Sequence, residues 1–218
     1  MAGEPGLQER LVDAALELLR CQPAETLSLR HVALQVGVSH QAPYVHFGDK
    51  RRFLAAVAGA GMEVAAKEAG LAVGAAGGDP RSRLHALVDA YVSFSDRHPH
   101  LHDLANGSLV AKGDHPRLQA AAITYWDLLH DTVAASQPEG VVEAEVLRRC
   151  AATWGTVDGI ARLYAMRQIP AAVPGERVQL LHEAVDTLYY GWQSERVRVG
   201  NAPRPSIRTP LNGTDHAS

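Results

Sequence analysis

Leu7, Leu11, Ala14, Ala15, Leu18 and Leu19 recur at spacings of three and four, while Glu9, Asp13, Glu17 and Arg20 fill the opposite side. That periodicity predicts an amphipathic first helix, closed before Pro23. Ser28 is placed to cap a short second helix, in which Leu29, Val32, Ala33 and Val36 form the apolar stripe. Gly37 then supplies the left-handed residue that stops it. Ser39 is placed to cap a third helix beginning at His40, and Pro43 makes that helix unusual. A proline costs roughly 3 kcal/mol in a helix interior but little among the first amides, which lack partners in any case. The third helix is therefore expected to start late and stay short.

The pattern continues as helix throughout. Asp49 precedes a long fourth helix that runs to the glycines at 70, 74, 77 and 78, and Asp79 with Pro80 opens a fifth whose apolar side carries Leu84, Leu87, Val88, Tyr91 and Val92. Pro99 and Pro116 mark two further starts, the second leading into ITYWDLLHDTVAA. Long segments at about 141–168 and 175–198 complete a set of about nine helices, with no convincing strand and no internal repeat. The expected fold class is all-α: a three-helix unit over 1–52, then a larger helical domain over 53–198. Residues 199–218, rich in proline and poor in apolar groups, read as a disordered tail.

Composition narrows the function. The 218 residues are 46% hydrophobic, 21% charged and 6% aromatic, as in soluble globular proteins, and the net charge of −3 excludes polyanion binding by bulk charge. Any basic function is local: between residues 26 and 52, Arg30, Lys50, Arg51 and Arg52 stand against Asp49 alone, with His31, His40 and His46 as further donors. Cys21 and Cys150, both within apolar helical patterns, have no disulfide or metal spacing. With no signal peptide and no membrane-length apolar run, a reducing cytoplasm is the expected location. No phosphate loop, nucleophile elbow or paired zinc histidines appear, so an enzyme on a helical scaffold is disfavoured.

Two short helices about a glycine turn, beside a basic flank, make a helix-turn-helix, whose second helix enters the DNA major groove. LSLRHVALQVGVS, YVHFGDK and FLAAV give residues 7 to 60 a resemblance to the DNA-binding domain of the TetR family of transcriptional regulators. The resemblance implies a homodimeric regulator, most often a repressor on a palindromic operator released by a small-molecule effector, with no cofactor. A metal or a protein partner is the alternative trigger.

By position, Arg30, His40, Gln41 and Val45 would face bases; arginine suits guanine, glutamine suits adenine, and valine suits the thymine methyl. Ser39, Tyr44, His46 and Lys50 match phosphate-contacting positions, and Ser28 joins the DNA-contacting set. Gln41, Ala42 and Pro43 depart from the family pattern, which bears on operator preference. Val38 and Phe47 are assigned to the core.

The stretch TWGTVDGIARLYAM resembles a Trp-x-x-x-His-Gly signature found in one subgroup of the family's C-terminal domains, with Asp158 in the histidine's place. The resemblance to the TetR family implies a dimer interface formed by the last two long helices, with Trp154, Gly155, Gly159, Val185, Leu188 and Trp192 as candidates. Trp154 and Trp192 are equally good core residues. Met62, Leu87, Tyr91, Phe94, Leu104, Leu109, Tyr125, Trp126 and Leu129 are candidates either for an effector pocket or for plain core. His98 and His102, with Asp103, Asp114 and His115 nearby, raise a metal hypothesis, against which stands a solvated helix start at Pro99.

Overall fold

The computed structural model describes residues 6–199, with side chains through residue 194. Of the expected tail at 199–218, Val199 instead ends the last helix, and residues 200–218 lie outside the described residues. The described chain forms α1 (Leu7–Leu18), α2 (Leu29–Val36), α3 (Ala42–Phe47), α4 (Lys50–Ala75), α5 (Pro80–Arg97), α6 (Pro99–Asn106), α7 (Pro116–Ala134), α8 (Glu143–Ala165) and α9 (Arg177–Val199), with no strand among the described residues. Short 3-10 turns at Ala24–Thr26 and Lys112–Asp114 precede α2 and α7. No described helix is long and apolar enough to cross a membrane.

The caps follow local chemistry. The Ser28 hydroxyl accepts from the His31 amide, Asp49 from Arg52 and Asp79 from Ser82. Gly37 adopts φ +74°, ψ +33°, and the Val38 amide donates back to the Ala33 carbonyl, closing α2. α3 departs from expectation: it begins at Ala42, with Gln41 and not Ser39 at its N-cap and no side-chain cap hydrogen bond. The Ala42 amide donates to the Ser39 carbonyl, so 39–42 form a separate turn, and Pro43 becomes the second helical residue, where its missing amide costs nothing. Pro43 is buried. Cys21 also departs from expectation, lying beyond α1 and exposed, whereas Cys150 is buried.

α4 is the central strut. Every residue from Phe53 to Met62 is buried, so this stretch is enclosed on all sides and has no solvent face. Two apolar clusters meet along it. The first joins α1, α2 and the start of α4 to Leu101, Leu104, Val110 and Leu118, so the core of the first three helices does not stop at residue 52. The second joins the end of α4 to α5, α7, α8 and α9 through residues such as Leu84, Leu129, Val146, Leu181 and Val185. The backbone approaches α4 closely at Gly59, where an added Cβ would lie 2.7 Å from the Leu118 amide nitrogen. α5 and α9 are tied by Arg81, which donates to both Asp186 carboxylate oxygens, and by His85 Nε2, 2.8 Å from Asp186.

Candidate functional site

The turn before α3 and the helix itself present a polar, aromatic surface to solvent. Arg30, Ser39, His40, Gln41, Tyr44, Val45 and His46 are all exposed, Val45 at 78%. The side chains of Arg30, His40, Gln41, Tyr44 and His46 make no hydrogen bond or ion pair among the described residues. Ser28 is exposed and engaged as the α2 cap. Lys50 is half-buried, donating to the Glu25 carbonyl at 2.9 Å with one of its three N–H groups. Phe47 is buried edge-to-face on Phe53, centroids 5.0 Å apart, and Val38 is half-buried against the same core. α3 is thereby anchored underneath and bare above.

Leu34, 76% exposed on α2, belongs to this surface although the sequence did not single it out. The signal was available: it falls outside the Leu29, Val32, Ala33, Val36 stripe. Arg51 and Arg52 add charge at the start of α4; Arg51 is held 2.6 Å from Asp114.

Farther along α4 lies a mostly apolar cavity of about 90 Å³. Met62, Tyr91, Phe94, Tyr125, Trp126 and Leu129 line it, as does Leu87. Leu104 does not: it is 2% exposed and packs into the first core cluster, while Leu109 is 36% exposed. The lining residues His102, Asn106, Lys112, Thr153 and Val157 were missed, because they are polar or lie on segments whose stripe does not point to a pocket.

A polar chain runs along one wall. The Tyr91 hydroxyl donates to Asp158 Oδ1 at 2.7 Å, and Arg162 Nε donates to Asp158 Oδ2 at 2.7 Å. His102 Nε2 lies 2.9 Å from the Tyr91 oxygen. The tyrosine proton is committed to Asp158, so His102 Nε2 is the donor and carries its proton there. Burial is the main cause pushing the Tyr91 hydroxyl pKa up and the His102 pKa down. Asp158, where the resembling signature has histidine, is thus the hub joining α5 to α8. The Tyr125 hydroxyl, also pushed up by burial, has no hydrogen-bond partner among the described residues.

His102 is engaged with Tyr91 and Asp114 with Arg51, so the proposed metal constellation does not assemble. Among the described residues no group of three or more His, Cys, Asp or Glu could hold a metal ion.

The expected interface residues divide. Trp154 is 41% exposed, its ring 6.0 Å from Trp126, and Gly155 and Gly159 face open space in the single chain. Val185 and Trp192 are instead 1% and 6% exposed within the chain's own core, with the Arg149 guanidinium over Trp192. They face inward because α9 uses that stripe to pack on α5 and α8. Leu188 is half-buried against the same cluster. Leu147, Leu163, Tyr164 and Tyr190 add exposed apolar surface that was not anticipated.

The family description "Bacterial regulatory proteins, tetR family" matches residues 11–57, and "Tetracyclin repressor-like, C-terminal domain" matches residues 84–188. The chain is 25% identical over 152 residues to the nucleoid occlusion factor SlmA of Marinobacter nauticus, covering 70% of this chain and 77% of that protein. Its fold is similar to a Rhodococcus sp. RHA1 protein of unknown function, with TM-score 0.69, 29% identity, and 87% and 97% of the two chains covered. It is also similar in fold to the regulator FadR of Bacillus subtilis solved with stearoyl-CoA, with TM-score 0.63, 16% identity, and 84% and 98% covered.

Proposed function

Since the chain belongs to the TetR family of bacterial transcriptional regulators and is not an enzyme, we propose that it is a repressor acting as a homodimer on a palindromic operator, released when a small molecule fills the cavity. The observation that carries this reading is a continuous path from cavity to probe. Lys112 lines the cavity; two residues on, Asp114 holds Arg51 at the head of α4, and His115 lies against Phe47, the last residue of α3, with ring centroids 6.3 Å apart. A change in cavity content has a short route to the tilt of α3.

On this reading Arg30, His40, Gln41 and Val45 meet base edges, and Ser28, Ser39, Tyr44, His46 and Lys50 fix register on phosphates. Residues 1–52 serve as the reading head and 53–198 as the sensing and pairing part. The exposed face of α8 around Trp154, Gly155 and Gly159 forms the dimer contact, and the glycines permit close helix approach there. A two-fold pair sets two probes one helical turn of DNA apart, about 34–36 Å.

Selection of bound sequences from a random duplex library tests this directly. The expected product is a palindrome with half-sites one turn apart, bound with an affinity that falls steeply as salt rises. Recovery of no preferred sequence, or of one with no two-fold symmetry, refutes the operator and dimer parts of the reading.

A further inference from the structure

The cavity has an uncompensated charge. Among its lining residues there is no carboxylate, and Lys112 is the one cation. His102, the other titratable base on the wall, is held towards its neutral form by burial. Asp158 stands just behind the wall, but its two oxygens are taken by Tyr91 and Arg162. Lys112 Nζ donates to the Ala105 carbonyl at the end of α6, which uses one of three N–H groups. Its amine is depressed by burial with no acidic neighbour to offset it. A half-buried ammonium without a counter-ion is costly, and a bound anion removes that cost.

A second donor waits in the same space. Tyr125 lines the cavity, and its hydroxyl has no partner among the described residues and remains a neutral donor because burial opposes its ionisation. The remaining surface is apolar and aromatic, with Phe94, Trp126 and Trp154 among the walls. Size follows from volume. About 90 Å³ is less than the roughly 150 Å³ of an apolar cavity that takes benzene, so only a compact ligand fits, and a ring enters as the walls give.

We propose that the effector is a compact aromatic or branched monocarboxylate, with its carboxylate on Lys112 and Tyr125 and its apolar body among the rings. The proposal rests on the cavity being the effector site. The carboxylate takes the spare Lys112 donors and competes with Ala105 for the ammonium. Lys112 lies two residues from Asp114, so capture of the anion acts on the segment that holds Arg51.

The test uses the full chain and three acids, benzoate, phenylacetate and 3-phenylpropionate, each beside its neutral primary amide at matched ionic strength. Binding is read from the fluorescence of Trp126 and Trp154 and from thermal shift. At least one acid is expected to bind tenfold or more tighter than its amide. Lys112→Met, which keeps the apolar stem, is expected to abolish that advantage while leaving amide binding unchanged, and Lys112→Arg to retain it. Acids binding no better than amides overturn the anion assignment but leave the cavity reading standing. An acid preference that survives in Lys112→Met overturns the role of Lys112. If no acid and no amide binds, both this proposal and the cavity as effector site fail. The wild-type comparison decides the matter even if a variant does not fold.

Discussion

Replacing Gly59 by alanine puts the packing of α4 on trial. In an open helix interior the change stabilises by about 0.5–1 kcal/mol, because glycine loses more chain entropy on folding. Gly59 is not open: its Cβ would stand 2.7 Å from the Leu118 amide nitrogen and 2.9 Å from the Arg117 carbonyl carbon, well inside the 3.4–4 Å of ordinary contact. Both neighbours are backbone at the start of α7 and cannot rotate away. Overpacking of this kind costs about 1–3 kcal/mol. Gly70 lies in the same helix with nothing within 4 Å of its Cβ, so Gly70→Ala carries the helix gain without the clash. The difference between the two variants isolates the clash. At roughly 2–4 °C per kcal/mol for a chain of this size, Gly59→Ala should melt about 2–12 °C below Gly70→Ala. Calorimetry at equal protein concentration reads it. Equal melting temperatures would show that α7 yields without cost, and that the close approach does not fix its position.

Tyr125→Phe removes a hydroxyl with no partner and should change stability by less than about 0.5 kcal/mol, whereas Tyr91→Phe strands Asp158 and His102 and should cost about 1–3 kcal/mol; urea unfolding compares them. As pH falls below about 6.5, the unfolded chain protonates its histidines before the folded chain protonates His102, His98 or His115, all depressed mainly by burial. Stability should therefore fall with acid, partly offset by His130, which Asp131 and Glu143 raise. His102→Gln should flatten the slope between pH 7.5 and 5.5, and an unchanged slope would exclude His102 as a source. Gly155→Leu should leave folding intact, since nothing lies within 4 Å of that Cβ in the single chain, but should shift size-exclusion elution towards the monomer if α8 is the dimer face.

What the sequence disclosed and what it withheld divide along physical lines. Helices with local signals were legible: the Ser28, Asp49 and Asp79 caps, the Gly37 stop and the proline starts depend on residues a turn apart. The start of α3 was misplaced by two residues because Ser39 spends its carbonyl on a turn, a choice that side-chain capping preference does not encode. The exposed polar face of α3 was legible because exposure there follows from what the stripe leaves over. The cavity was legible in its aromatic walls and not in Lys112, Asn106 or His102, whose positions depend on how α6 and the following turn pack on α4, α5 and α7. Val185 and Leu188 share a periodic stripe with Trp192, and no period distinguishes a stripe facing its own chain from one facing a partner.

Two links join the cavity to the reading head, and they differ in stiffness. Along α4, Met62 lines the cavity and Phe53 supports Phe47, nine residues and about 14 Å apart at 1.5 Å per residue, with every side of the helix buried between them. The second link is the Arg51–Asp114 pair, with 59% and 21% of the two side chains exposed. An exposed ion pair contributes about 0–1 kcal/mol to stability, so Asp114→Asn should barely alter folding or operator binding. A ligand shifts an equilibrium only by its differential affinity for the two states, and the states differ through whatever joins cavity to probe. If the connector after α6 carries the signal, Asp114→Asn should leave effector affinity for the free protein unchanged and reduce several-fold the factor by which effector weakens DNA binding. If that factor is unchanged, the signal travels through α4 alone, and Arg51–Asp114 is only a surface contact.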